Sequence, residues 1–239
     1  MATHNAANSA PQPNGLIANP WHTLFVGVVV AFWAYRATYN AAQARTGLGP
    51  GRPHMYLRTM LFEWLLLAIV IFGVRQHGGS LQTIFGQRWR SLVEMLRDVA
   101  LGIALMIASS VLVSIVSALE HDTSSTESVR FLIPQSPLEM FLWIALSITA
   151  GICEEAVYRG YFQRQFAALS KNVPAGIILS GASFGAVHLY QGWRRALAIA
   201  FMGILLGLVA QWRKSVRPGM FAHAIQDSIA PLLFKLAPH

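Results

Sequence analysis

The chain has a single cysteine, Cys153, in 239 residues, which excludes an intramolecular disulfide and any cysteine-rich zinc site. Charge is scarce as well. Asp, Glu, Lys and Arg make up 12% of the chain, where an ordinary soluble domain carries about a quarter. Acids are the scarcer sign, 10 against 18 bases. These shortages exclude a disordered chain, a fibrous repeat and a typical soluble enzyme. What is there instead is apolar: 54% of the residues are hydrophobic and the mean hydropathy is +0.47. Such a chain is suited to the bilayer, where burying charge is the dominant cost.

The net charge of +8 would suggest nucleic acid as the partner of a soluble protein. Here most Lys and Arg residues lie between apolar runs or at their ends. That placement anchors helices to anionic headgroups, so the partners read from it are membrane lipids and not nucleic acid.

Residues 1–19 are rich in Asn, Ala and Pro and carry no Lys or Arg, the composition of a disordered tail. Without the basic start of a secretory signal, the apolar run that follows reads as a retained anchor. Seven membrane helices are predicted from long apolar runs, near 21–41, 56–75, 99–119, 138–168, 174–190, 195–213 and 218–236. The third has 21 residues without a charge. Pro137, Pro174 and Pro218 stand where a first helical turn tolerates proline. Residues 80–97 mix Arg with Trp, Phe and Leu and predict an interfacial helix. The expected fold is an all-α, polytopic membrane bundle: a tail (1–19), N-terminal membrane helices (20–137) and a set bearing the chemistry (138–239).

Orientation follows from charge. The 120–137 loop holds Glu120, Asp122 and Glu127 against Arg130, so it is expected outside. The basic 75–98 and 213–217 segments are then inside, with the N-terminus in and Arg45 and Arg52 outside. This describes a multi-pass protein of the cell (inner) membrane with its site facing the cytoplasmic side.

Ionisable groups in hydrocarbon are functional candidates by default. Arg36 and Arg58 are close enough to helix ends to snorkel, and Glu63 reads as a structural residue that caps or pairs with a neighbouring helix. The later helices differ. Glu154 and Glu155 are neighbours and point about 100° apart on a helix. Glu155 and Arg159 are i, i+4 in the favourable order, so Arg159 is expected to hold Glu155 and leave Glu154 facing a cavity. Phe184 with His188 and His223 with Asp227 repeat that spacing. For a hairpin turning at Lys171, Glu154 lies 17 residues before the turn and His188 17 after it, which puts them at one depth. His223 follows the 213–217 turn too closely to fit straight helices. Either part of the hairpin protrudes, or the sixth helix is offset or tilted.

A carboxylate, two imidazoles and a further acid can deprotonate a water or bind a divalent metal that does so. Glu154 is the candidate base. His188 could hold the same water or ligate a metal, and His223 and Asp227 could serve an oxyanion. A bare Asp227 carboxylate would repel that oxyanion, and orienting His223 through its other nitrogen is the alternative. Were a metal such as zinc to take part, Glu154, His188 and His223 are its candidate ligands.

In order, Glu154-Glu155-x3-Arg159, Phe184-x3-His188 and His223-x3-Asp227 resemble the EExxxR, FxxxH and HxxxN/D motifs of the CPBP family, also called the Abi or type II CAAX protease family. The resemblance covers roughly 138–236. It implies an all-helical intramembrane endopeptidase acting on a membrane-associated protein or peptide. By that resemblance Glu154 activates water with His188, His223 and Asp227 serve the oxyanion, and Glu155 and Arg159 support them. Members have been described both as metalloproteases and as glutamate proteases. This chain has Asp227 where CAAX-cleaving members carry Asn, and seven predicted spans against eight in the eukaryotic enzyme. A CAAX substrate is inherited from the family name alone. Two other readings use the same residues: a proton or solute carrier or partner-binding scaffold, and a haem held by His188 and His223.

Overall fold

The computed structural model describes residues 15–47, 49–118 and 129–236. Most of the expected tail (1–14) and the half of the 120–137 loop that holds its three acids lie outside the described residues. Prolines and small polar residues set the helix starts. Asn19 caps α1 (Pro20–Arg45) by accepting the Trp21 N–H, and α2 is Arg52–Gln76. After α3 (Leu81–Phe85) and α4 (Leu92–Ala118), Ser136 caps α5 by accepting the Glu139 N–H. α5 runs continuously over Pro137–Ser170, with Ala156–Phe162 wound as a π-helix. α6 is Val173–Ala186, α7 Trp193–Arg213 and α8 Arg217–Leu236. The chain is all-helical, and the described residues contain no strand beyond an isolated Gly86–Ser215 bridge.

Among the described residues four helices are long and apolar enough to cross a membrane: Arg52–Gln76, Leu92–Leu112, Pro137–Ser170 and Trp193–Arg213. The seven expected spans thus narrow to four that meet both demands. α6, at 14 residues, reaches only about 21 Å of a hydrocarbon core about 30 Å thick. α1 and α8 are long enough but interrupted by polar residues. α1 still shows exposed Trp21, Phe25, Phe32 and Tyr35, side chains suited to lipid.

The 80–97 stretch forms no single interfacial helix. It divides at Gly86, whose φ of +86° is open to glycine at little cost, and α4 begins only at Leu92. The hairpin turn lies where the sequence places it. Lys171 adopts a left-handed conformation to close α5, and Asn172 caps α6 by accepting the Ala175 N–H.

α6 and α7 pack closely. A Cβ on Gly185 would lie 2.5 Å from the Ala196 carbonyl oxygen, and one on Gly181 would meet Ile204. α8 packs on α4 and on the first part of α5, while α2 runs beside that same part. Gly86 meets Ser215, and Ile84 presses on Gly160. The α7–α8 turn is therefore level with Gly160, and the end of α5 extends past it. That extension accounts for part of the depth mismatch of the straight-helix reading.

Candidate active site

Glu154 and Glu155 end the α-helical part of α5, and the turn between them separates their surroundings. The Glu155 side chain is fully buried, and its Oε1 accepts a 2.7 Å bond from Arg159 Nη1, itself buried. The Arg159 guanidinium lies over the Phe184 ring, 4.2 Å from its centroid, so a cation–π contact adds to the ion pair. Glu154 retains 19% of its side-chain exposure and is the acid that solvent or a ligand can reach.

The π-helix follows directly. Its residues are all buried, and Ser180 of α6 donates its hydroxyl to the Tyr158 carbonyl at 2.7 Å, tying α6 to the irregular turn. Widened turns of this kind are frequent at functional sites.

His223 arrives from α8 and lies among three acids. Its Nδ1 is 3.3 Å from Glu155 Oε1, while Nε2 is 3.6 Å from Glu154 Oε2 and 3.4 Å from Asp227 Oδ2. Ionised carboxylates accept and do not donate. Satisfying both ring nitrogens therefore takes two hydrogens, one on the Glu155 side and one shared with Glu154 and Asp227. Glu155, held by Arg159, is the group on the nitrogen turned away from Glu154. Asp227, for which orienting His223 was the alternative role, shares the nitrogen facing Glu154.

α8 is fixed on both flanks of His223. The Trp143 indole donates to the Asp227 carbonyl at 2.7 Å, and Ser109 donates to Gln226 Oε1 at 2.8 Å. Gly219 lets the first turn of α8 pass over the buried pair, since a Cβ there would lie 2.6 Å from Glu155 Oε2.

His188 lies just beyond α6, which ends at Ala186 rather than near 190. The helix stops because the chain turns through His188 into the short 3₁₀ turn Leu189–Gln191 and then Gly192, at φ +102°. His188 Nδ1 is 2.8 Å from the Phe184 carbonyl. A carbonyl can only accept, so Nδ1 carries the hydrogen and Nε2 is left with a lone pair in the neutral ring. Phe184 packs edge-on against both imidazoles, with centroids 4.9 Å from His188 and 5.7 Å from His223. Burial pushes the nearby Tyr190 phenol up to about 12, so it stays a hydroxyl at neutral pH.

Of the residues singled out, Glu154, Glu155, Arg159, His223 and Asp227 are linked by direct polar contacts, and His188 joins them through Phe184. Among the described residues no three His, Cys, Asp or Glu side chains group as metal ligands. Glu154, His188 and His223 do not form a ready donor set in this arrangement. Cys153 is 1% exposed, a packing residue as expected.

Glu63 was read as structural, yet it has no hydrogen bond or ion pair among the described residues, and its Oε2 is buried without a partner. Its carboxyl is within electrostatic reach of Glu154, His223 and Asp227. The available signal was a lone acid midway along an apolar helix.

Residues 136–229 match the family model of type II CAAX prenyl endopeptidase Rce1-like proteins, as the three motifs led us to expect. No curated protein and no solved structure gives a significant match to the chain.

Proposed function

We propose that this chain is an integral membrane protein, related through residues 136–229 to the type II CAAX prenyl endopeptidase Rce1-like proteins whose family model they match, and that it hydrolyses a peptide bond in a membrane-associated protein or peptide. The observation that supports this best is the pairing of a reachable carboxylate, Glu154, with an imidazole whose far nitrogen meets a buried Glu155–Arg159 ion pair. That is the arrangement of a base beside an oriented hydrogen-bond donor.

In this reading Glu154 takes one proton from a water, and the resulting hydroxide adds to the scissile carbonyl carbon. His188 Nε2 accepts a hydrogen bond from the same water. The His223 N–H faces the oxyanion, while Asp227 and Glu155 hold the imidazole instead of touching the oxyanion. As the C–N bond breaks, Glu154 returns the proton to the leaving amine. The new carboxyl keeps the oxygen of the water, and the protein ends unchanged.

The test compares membranes containing wild-type chain or Glu154→Gln by mass spectrometry of newly formed peptide termini. Termini that need Glu154 identify a protease and its substrate class, and a chelator arm reports whether metal is required. Identical termini from two folded proteins would overturn the reading and favour a carrier or scaffold. The orientation read from charge places the Gly86–Ser215 end inside, next to Arg213, Lys214 and Arg217. Cysteine-accessibility labelling at Lys214 from either side of sealed vesicles checks it.

A further inference from the structure

Away from the acids around His223, the molecule gathers cations at one place. The Gly86–Ser215 bridge brings the link between α3 and α4 against the turn between α7 and α8. The two segments enclose a cavity of about 210 Å³, where a single water needs roughly 10–15 Å³. Six cations and two acids line it.

Both acids are already engaged. Asp98 is 2% exposed and takes the Arg213 guanidinium at 2.8 Å and the Trp89 indole at 2.9 Å. Glu94 accepts the Arg90 N–H at 2.8 Å, and its own N–H donates to Ser91, which closes the first turn of α4. Arg217 belongs to the frame. It donates to the Gln87 and Gly86 carbonyls and lies over the Trp89 ring, 4.9 Å from its centroid. The side chains of Arg88, Arg90, Arg97 and Lys214 have no ion pair or hydrogen bond among the described residues. Four like charges facing one space repel one another, so folding gains nothing from gathering them. An anion with several acceptor oxygens supplies what they lack, and the guanidinium fork matches phosphate geometry.

The position of the cavity says which phosphate. Leu92–Leu112 begins there and Trp193–Arg213 ends there, two helices able to cross a membrane. That is headgroup level for a spanning bundle. Leu92, Val93, Leu96 and Trp212 beside it are all more than half exposed. Such apolar surface suits acyl chains and offers nothing to a free phosphate.

We infer that this cavity binds the phosphodiester headgroup of an anionic phospholipid. Arg88, Arg90, Arg97 and Lys214 surround the phosphate, and the acyl chains lie along Leu92, Val93, Leu96 and Trp212. The site shares no residue with the cluster around Glu154 and does not depend on the hydrolase reading.

The test uses the full-length chain in neutral detergent, read by native mass spectrometry and thermal melting. It is titrated with dioleoylphosphatidylglycerol, dioleoylphosphatidylcholine or glycerol phosphate, the last being a headgroup without acyl chains. Wild type is compared with Arg88→Gln/Arg97→Gln and with Arg75→Gln/Lys171→Gln, which removes the same charge from the ends of α2 and α5. Wild type should hold phosphatidylglycerol about tenfold or more tighter than phosphatidylcholine, and its melting temperature should rise with the bound lipid. Each Lys or Arg near an anionic headgroup contributes about fivefold. Arg88→Gln/Arg97→Gln should therefore weaken phosphatidylglycerol on the order of twenty- to thirtyfold, with the control pair within about twofold of wild type.

Equal affinity for the two lipids overturns the inference. So does an equal loss in both double variants, which marks diffuse attraction and no built site. Glycerol phosphate bound as tightly as phosphatidylglycerol overturns the lipid as occupant. Should the double variant melt below wild type without lipid, Arg88→Gln and Arg97→Gln are read singly. Each is then expected to lose about fivefold, and wild-type affinity in both overturns the inference.

Discussion

Arg159 and Glu155 both have fully buried side chains, so each makes the other tolerable. Removing one partner of such a pair costs roughly 3–5 kcal/mol. Arg159→Met should therefore destabilise by about that much in a denaturant titration in micelles. Glu155→Gln combined with Arg159→Met should restore most of the loss, since no uncompensated charge remains. Activity should stay absent in the double variant, because the His223 Nδ1 would then lack its carboxylate. Stability recovered without activity separates the folding role of the pair from its orienting role. Much of this was legible in the sequence, because i, i+4 spacing on a helix fixes which residues can meet. The Glu155–Arg159 bond and the Phe184–His188 contact follow from spacing alone. The cross-helix neighbours do not, because spacing carries nothing about which face of α2 meets α5.

At the scale of elements, the proline-marked helix starts were readable and the irregular turns were not. Ser136-Pro137 and Asn172-x-Pro174 carry local side-chain chemistry that starts a helix wherever it occurs. The π-helix at Ala156–Phe162 leaves no such mark. It is stabilised by what packs on it, Ile84 against Gly160 and Ser180 on the Tyr158 carbonyl. The early end of α6 is equally a matter of context, set by the His188–Gly192 link. Close approach between elements gives a further prediction. Gly219→Ala places a methyl 2.6 Å from Glu155 Oε2, and an overpacked site of this kind costs about 1–3 kcal/mol. The variant should keep wild-type helicity by circular dichroism while losing cleavage, because Glu155 must shift away from His223. Unchanged cleavage would show that the Glu155–His223 contact is dispensable.

For the whole molecule, the exposed face is apolar where soluble proteins are polar. Phe32, Leu61, Phe72, Ile107, Phe141 and Phe201 are all at least half exposed, on α1, α2, α4, α5 and α7. Such a surface stays with lipid when electrostatic attachments are stripped away. The chain should remain in the pellet after alkaline carbonate and high salt, and enter solution only with detergent. Recovery in the carbonate supernatant would contradict a spanning bundle. The bundle also carries its site unevenly. Glu154, Glu155 and Arg159 sit on a helix continuous for 34 residues, and His223 lies well inside α8. His188 sits on a link of a few residues closed by Gly192. Amide protection should therefore be lopsided across the candidate site. In deuterium, amides around Glu155 should exchange only on global opening, while those of Leu189–Gln191 exchange through small local excursions. One imidazole is then set in a rigid wall and the other on a short link, so the His188 side of the cluster can shift while the long helices stay packed.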